Sequence, residues 1–229
     1  IAVLKMGVGS AAAATIISQY ISAGLCLYLL LTTAGTHRII LSKIKIHKEY
    51  LGEILKYGLP SGFQNSIIGL ANVVVQSNIN SFGDMAMAGC GAYSKIEGFA
   101  FLPITSFTMA LTTFVGQNLG ARQYDRVLKG AKFGMMCSMT LAEIIGLIIF
   151  VFGSQFIAAF DATPEVIQFG TLRGQTSAFF FCLLAYSHCV SAILRGAGKS
   201  MVPMIVMMVC WCFVRVAGLT IMGMLIHNI

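Results

Sequence analysis

The chain has 229 residues, of which 57% are hydrophobic and 10% charged, with a net charge of +7 and a mean hydropathy of +0.84. Soluble domains carry roughly 25% charged residues, so this composition cannot coat a water-facing globule and requires a lipid bilayer around most of its surface. Nucleic-acid binding is excluded as the meaning of the positive charge, because the basic residues form short clusters between long apolar runs and read as topology signals.

The chain opens on Ile-Ala-Val-Leu-Lys, without the initiator Met, basic region or cleavage site of a signal peptide. Six stretches are then apolar for long enough to cross roughly 30 Å of hydrocarbon as helices. They lie near residues 8–33, 56–82, 85–116, 130–152, 164–193 and 201–226. The third and fifth exceed the length of a perpendicular crossing and are expected to tilt, bend or protrude, with Pro103 as the bend. Pro60, Pro164 and Pro203 are expected in or near first turns, where a missing N–H costs little, and Thr163-Pro164-Glu165 is a helix start. No segment alternates as an outer-membrane strand does. The fold class is therefore an all-α membrane protein, a polytopic transmembrane helix bundle.

The first connection holds Arg38, Lys43, Lys45, Lys48 and Lys56, with His37 and His47 expected to be solvated. The third holds Arg122, Arg126, Lys129 and Lys132, and the fifth Arg195 and Lys199. Eleven of the fifteen basic residues thus share one side, whereas Asp84, Asp161 and Glu165 mark the other, with Lys5 and Arg173 near it. The basic side is read as cytoplasmic, so the first span enters from outside. A chain that begins this way is expected to lack an upstream part, and its end at Ile226-His227-Asn228-Ile229 suggests a missing downstream part.

The second span is the most informative. At roughly 100° per residue, Ser61, Asn65, Gly69, Asn72, Gln76 and Asn80 fall within about 100° of one another, and Phe63, Ile67, Leu70 and Val74 lie opposite. Such amides are costly against lipid, so the stripe faces either neighbouring helices or a wet pathway. Four ionisable residues lie well inside spans: Lys95 and Glu97 in the third, Glu143 in the fourth and Arg215 in the sixth. Each costs at least about 2.5 kcal/mol at mid-membrane and needs a partner or water. Lys95 and Glu97, two residues apart, point to different sides of one helix, whereas Glu97 shares a face with Tyr93. Arg215, one turn after Trp211, is either a functional cation or a structural one held by backbone carbonyls or by Glu143, and Glu143 either is protonated or partners a cation.

Several chemistries are set aside. The seven cysteines all sit in apolar segments with no metal-site or disulfide spacing. Arg195-Gly196-Ala197-Gly198-Lys199-Ser200 lacks the first glycine and the preceding strand of a phosphate-binding loop, and reads as a tight turn. His188 is expected to be packed rather than to relay protons, and Ser187 beside it has no carboxylate to complete a hydrolase. No enzyme, metal site or cofactor is expected.

Two runs then carry a resemblance: Gly98-Phe99-Ala100-Phe101-Leu102-Pro103-Ile104, and Ala110-Leu111-Thr112-Thr113-Phe114-Val115-Gly116-Gln117-Asn118-Leu119-Gly120-Ala121-Arg122. With Tyr57-Gly58-Leu59-Pro60, Gly7-Val8-Gly9-Ser10-Ala11-Ala12, Thr15, Ser18-Gln19 and Leu194-Arg195-Gly196-Ala197-Gly198, the chain resembles the multidrug and toxic compound extrusion (MATE) family. The resemblance implies half of a twelve-helix, inverted-V transporter in a cell membrane. Residues 1–34 would be the last helix of the N-terminal bundle, 35–55 a cytoplasmic basic linker and 56–229 five spans of the C-terminal bundle. The remaining N-terminal bundle would be a partner. It implies secondary-active export of organic cations or drugs in exchange for Na+ or H+ by alternating access. On that template Asn65, Asn72, Gln76, Tyr93 and Lys95 are the expected substrate-binding residues, and Glu97 and Glu143 the expected coupling-ion or proton-binding residues. Some branches of the family carry acids on the seventh and tenth helices; here the seventh carries amides and the tenth has no acid within it, leaving Glu97 on the eighth. The competing readings are a lipid-linked oligosaccharide flippase of the same superfamily and a truncated membrane protein that transports nothing.

Overall fold

In the computed structural model, residues 8–33, 35, 38–218, 220 and 221 are described. Lys5, Gly7, His37 and the end of the sixth expected span, 222–226, lie outside them. The chain divides into two units, Ile1–Gly52 and Glu53–Ile229. Among the described residues all regular structure is helical, so the expected all-α membrane bundle is what the chain forms.

The first unit contains α1, Val8–Thr32, which is long and apolar enough to cross a membrane. The last carbonyls of a helix have no intrahelical donor. Here Leu30 O accepts the Ile39 N–H at 2.9 Å and Leu31 O accepts Arg38 Nε at 2.9 Å. The basic segment thereby closes the helix end. A 3-10 turn follows at Leu41–Lys43.

Helix α2, Lys48–Asn80, begins eight residues before the span expected at 56–82. Pro60 is consequently its thirteenth residue rather than part of a first turn, and it is buried. The helix is long enough to cross a bilayer but too polar to count as a span on composition, because of its amides. Its buried positions are Pro60, Gln64 and Ala71, so the packed face lies one residue, about 100°, away from the amide stripe.

Four helices make the core. They are α3 at Asp84–Gly120, α4 at Tyr124–Ala158, α5 at Pro164–Ala178 and α6 at Phe181–Gly196, and each of α3 and α4 packs on both α5 and α6. The buried residues of α5 are Val166, Gly170, Gly174 and Ala178, a strict four-residue stripe. Lipid tails are as apolar as leucine, so this association depends on close packing of small residues rather than on escape from water. A Cβ added at Gly89 would sit 2.6 Å from Val166 O, and one at Gly146 2.5 Å from Ala178 O. Backbone therefore meets backbone on both sides of α5. Tyr93, Ala100, Ile104, Ala142, Ile149, Phe181 and Ala185 complete the buried cluster.

Pro103 lies within α3, which runs through it without a break. The bend falls instead between α5 and α6, which meet at 58° and together are long and apolar enough for one bent span. Restarting a helix inside a membrane exposes N–H groups that water cannot satisfy. The Cys182 N–H, in the first turn of α6, donates to Glu143 Oε2 at 3.2 Å. Glu143 thus holds a helix start. It is neither paired with Arg215 nor part of the polar chamber described below.

Helix α6 ends as the glycine pair suggests: Gly198 has φ +79°, and the Lys199 N–H reaches back to Leu194 O at 2.9 Å. The last element, α7 at Met201–Met208, continues into a π-helical turn at Val209–Val214. That wider turn packs beside α2, where the Cys212 thiol donates to Ile67 O at 3.8 Å.

Candidate functional site

The buried positions of α3 recur every three or four residues: Ala86, Gly89, Tyr93, Ala100 and Ile104. Glu97 occupies the register between Tyr93 and Ala100, so helix periodicity alone turns its carboxylate towards the seam. It is 32% exposed on its side chain and pairs with Arg173 of α5, Nη2 to Oε2, at 3.9 Å. Arg173 follows the buried Gly170 by one turn, and its guanidinium lies 5.3 Å from the centre of the Tyr93 ring. A guanidinium between a carboxylate and an aromatic face is partly neutralised and partly shielded.

On the other wall, Arg215 extends from the helix just past the π turn. Its Nη1 donates to Asn72 Oδ1 of α2 at 3.0 Å, and its guanidinium lies 5.0 Å from the Trp211 ring centre. Gln76, one turn on from Asn72, donates to Asn80 Oδ1 at 2.9 Å. A half-open hollow of about 380 Å³ lies between these helices, lined by Asn72 and Gln76 from α2, Glu97 from α3, Arg173 from α5, and Trp211 and Arg215 beyond α7. Glu97, Phe101 and Trp211 also line a neighbouring, more apolar hollow of about 510 Å³ beside the α5–α6 bend, where Phe180 and Phe181 stand.

The site residues expected from sequence therefore separate. Asn72, Gln76 and Glu97 converge on one hollow. Tyr93 does not open onto it: at 1% exposure it is core, packed beneath Arg173 and against Gly174. Lys95 is exposed and lies two residues from both Tyr93 and Glu97, hence on the other side of α3. Asn65, two turns before Asn72 on the amide stripe, is exposed and outside the chamber wall. Glu143 caps α6.

Arg173 belongs to the site although its place near the outer boundary marks it in the sequence as a topology charge. A signal was present, since Arg173 is the tenth residue of the span that starts at Pro164, where the rule applied to Glu97 and Arg215 also holds. Helical spacing makes Arg215 and Trp211 neighbours, but nothing in the sequence links them to Asn72.

Comparison with known proteins bears on this arrangement. The profile of the MatE family matches residues 60–221. The probable multidrug resistance protein NorM of Thermotoga maritima is 28% identical over 204 residues, which is 88% of this chain and 43% of that protein. The probable multidrug resistance protein YpnP of Bacillus subtilis is 28% identical over 216 residues, 94% of this chain and 48% of the relative. Among solved structures, a crystal structure of MATE in the straight conformation superposes with a TM-score of 0.83 at 21% identity, covering 93% of this chain and 48% of that one. The chain spans about half the length of the curated relatives it matches.

Proposed function

The chain belongs to the MatE family, and from that premise we propose that it forms one wall of a secondary-active exporter of small-molecule drugs, driven by Na+ or H+ entry through alternating access. A multi-pass membrane protein of this family needs a polar, water-filled site at membrane depth. The observation that carries the reading is the chamber in which Asn72, Gln76, Glu97, Arg173 and Arg215 meet inside an otherwise apolar helical body.

Glu97 is the coupling group in this reading. A proton or cation that binds its carboxylate competes with Arg173, 3.9 Å away. An ion shifts the balance between two arrangements only by its differential affinity for them, and an ion pair that can open and close supplies that difference. Asn72 and Gln76 offer hydrogen bonds, and Phe101 and Trp211 offer stacking faces, to compounds of drug size. Organic cations, the cargo implied by the resemblance, would be drawn to Glu97 and held off by Arg173 and Arg215. The lipid-linked flippase remains the second reading, favoured by the same pair of guanidiniums, which suit a diphosphate.

The test is export of a fluorescent drug from energised vesicles that contain the transporter carrying this chain. Glu97→Gln is expected to reduce gradient-driven export at least about tenfold while leaving drug binding in place. Unchanged, gradient-dependent export by that variant would remove Glu97 from coupling.

A further inference from the structure

The charge balance of the chamber points to a cargo class different from the one that family resemblance implies. Two guanidiniums and one carboxylate line the same hollow. The carboxylate is already engaged by Arg173. Among the described residues, Arg215 donates its hydrogen bond to a neutral amide oxygen and stacks on Trp211, and the one carboxylate it faces across the hollow, Glu97, is shared with Arg173. An amide dipole and an indole quadrupole orient a guanidinium but do not neutralise it. A cation kept at this depth in a membrane protein calls for a counter-anion. Beside it lies the apolar hollow walled by Phe101, Phe180, Phe181 and Trp211, which shares Glu97, Phe101 and Trp211 with the polar one.

We propose that Arg215, seconded by Arg173, is the receptor for the anionic group of an aromatic cargo, a carboxylate or phosphate, whose ring enters the neighbouring aromatic hollow. This deepens the transport reading and rests on it for the word cargo, but binding itself can be tested without transport. Asn72 acts as a positioning residue: its Oδ1 fixes the guanidinium fork, and its amide remains able to donate to the bound anion. Arg173 joins when Glu97 releases it. Organic cations meet two like charges here and bind more weakly.

The experiment uses the transporter carrying this chain in lipid nanodiscs, with three planar probes: fluorescein as the aromatic carboxylate, flavin mononucleotide as the aromatic phosphate, and ethidium as the cation. Trp211 is the single tryptophan of the sequence and stacks on Arg215, so loss of its emission, absent in Trp211→Phe, reports binding at the site. At least one anion is expected to bind about tenfold more tightly than ethidium or better, and whichever of fluorescein and flavin mononucleotide binds more tightly identifies the anionic group. Arg215→Gln is expected to weaken it by tenfold or more, and Arg215→Lys by less. Should Arg215→Gln fail to fold, Asn72→Asp decides, because a carboxylate placed beside Arg215 is expected to abolish anion binding and raise ethidium affinity. A purely structural Arg215 would not reverse selectivity in this way. Ethidium bound in preference to both anions by the unmodified protein overturns the proposal, as does an anion affinity indifferent to Asn72→Asp. Anion binding without export of any probe would uphold this site and sink the exporter reading; export of ethidium without anion binding would do the reverse.

Discussion

The seam between α3, α4 and α5 and the wall formed by α2 with the π turn solve opposite problems. In the seam, glycines at 89, 146 and 170 let backbones touch, and what is buried is apolar or small. Along the wall, Arg215 bonds to Asn72 across the helices, and beside them and Gln76 a hollow of about 380 Å³ remains. The same chain thus contains a rigid body and a polar surface mounted beside it. The difference teaches that polar residues at membrane depth are tolerated where packing is left incomplete, and that the packed half supplies the fixed frame from which Glu97 and Arg173 project.

The largest effect should come from the seam. Gly146→Ala puts a methyl group 2.5 Å from Ala178 O, and overpacking of this kind costs about 1–3 kcal/mol. Gly69→Ala on the wall meets nothing within 4 Å and should stay within about 0.5 kcal/mol of the parent. Denaturant unfolding in detergent compares the two. Equal losses would erase the distinction between frame and wall.

The next effect concerns the bent span. Glu143→Leu removes the acceptor for the Cys182 N–H, and an orphaned buried donor costs about 1–3 kcal/mol. Glu143→Gln keeps an acceptor and should lose roughly half of that or less. Thermal stability of the two variants measures the order, which reverses if Glu143 acts as an ion site rather than a cap.

Lys95 sharpens the comparison from outside. Being exposed on the far side of α3 from Glu97, it should tolerate Lys95→Gln with export changed by less than about twofold. A loss comparable to that of Glu97→Gln would mean that the chamber extends around α3.

The smallest expected effect lies in the loop before α5. The Asp161 carboxyl is held below its usual 3.8 by hydrogen bonds from the Thr163 hydroxyl and N–H, the latter at 2.9 Å. A depressed value means that this group stabilises the fold above the unfolded value and ceases to as pH falls through the folded one. The gap in melting temperature between the parent and Asp161→Ala should therefore be present at pH 7 and close below pH 3.8. A gap that persists in acid would assign the effect to something other than charge.

Much of this architecture is legible in the sequence because bilayer physics is coarse. Apolar length gives spans, whereas the seam built on Gly170, Gly174 and Ala178 at four-residue spacing is recognised only once the helices are packed. The 58° break is hidden, since no proline marks it and its cap, Glu143, stands far away in sequence. Proline misleads at both interior positions: α3 runs through Pro103 and α2 through Pro60. At the site, a stripe argument finds Asn72 and Gln76, and helix periodicity finds Glu97. Pairings across helices, Arg215 with Asn72 and Arg173 with Glu97, depend on packing that a single sequence does not display.

The central claim is that Asn72, Gln76 and Glu97 border one hydrated chamber. Single cysteines placed at 72, 76 and 70, in a background whose seven cysteines are replaced, can be tested in membranes with a small charged thiol reagent that cannot enter lipid. Labelling at 72 and 76 that bound cargo suppresses, together with silence at 70, which lines an apolar hollow on another side of α2, is the predicted result. Silence at 72 and 76, or labelling at all three that cargo leaves unchanged, would contradict it.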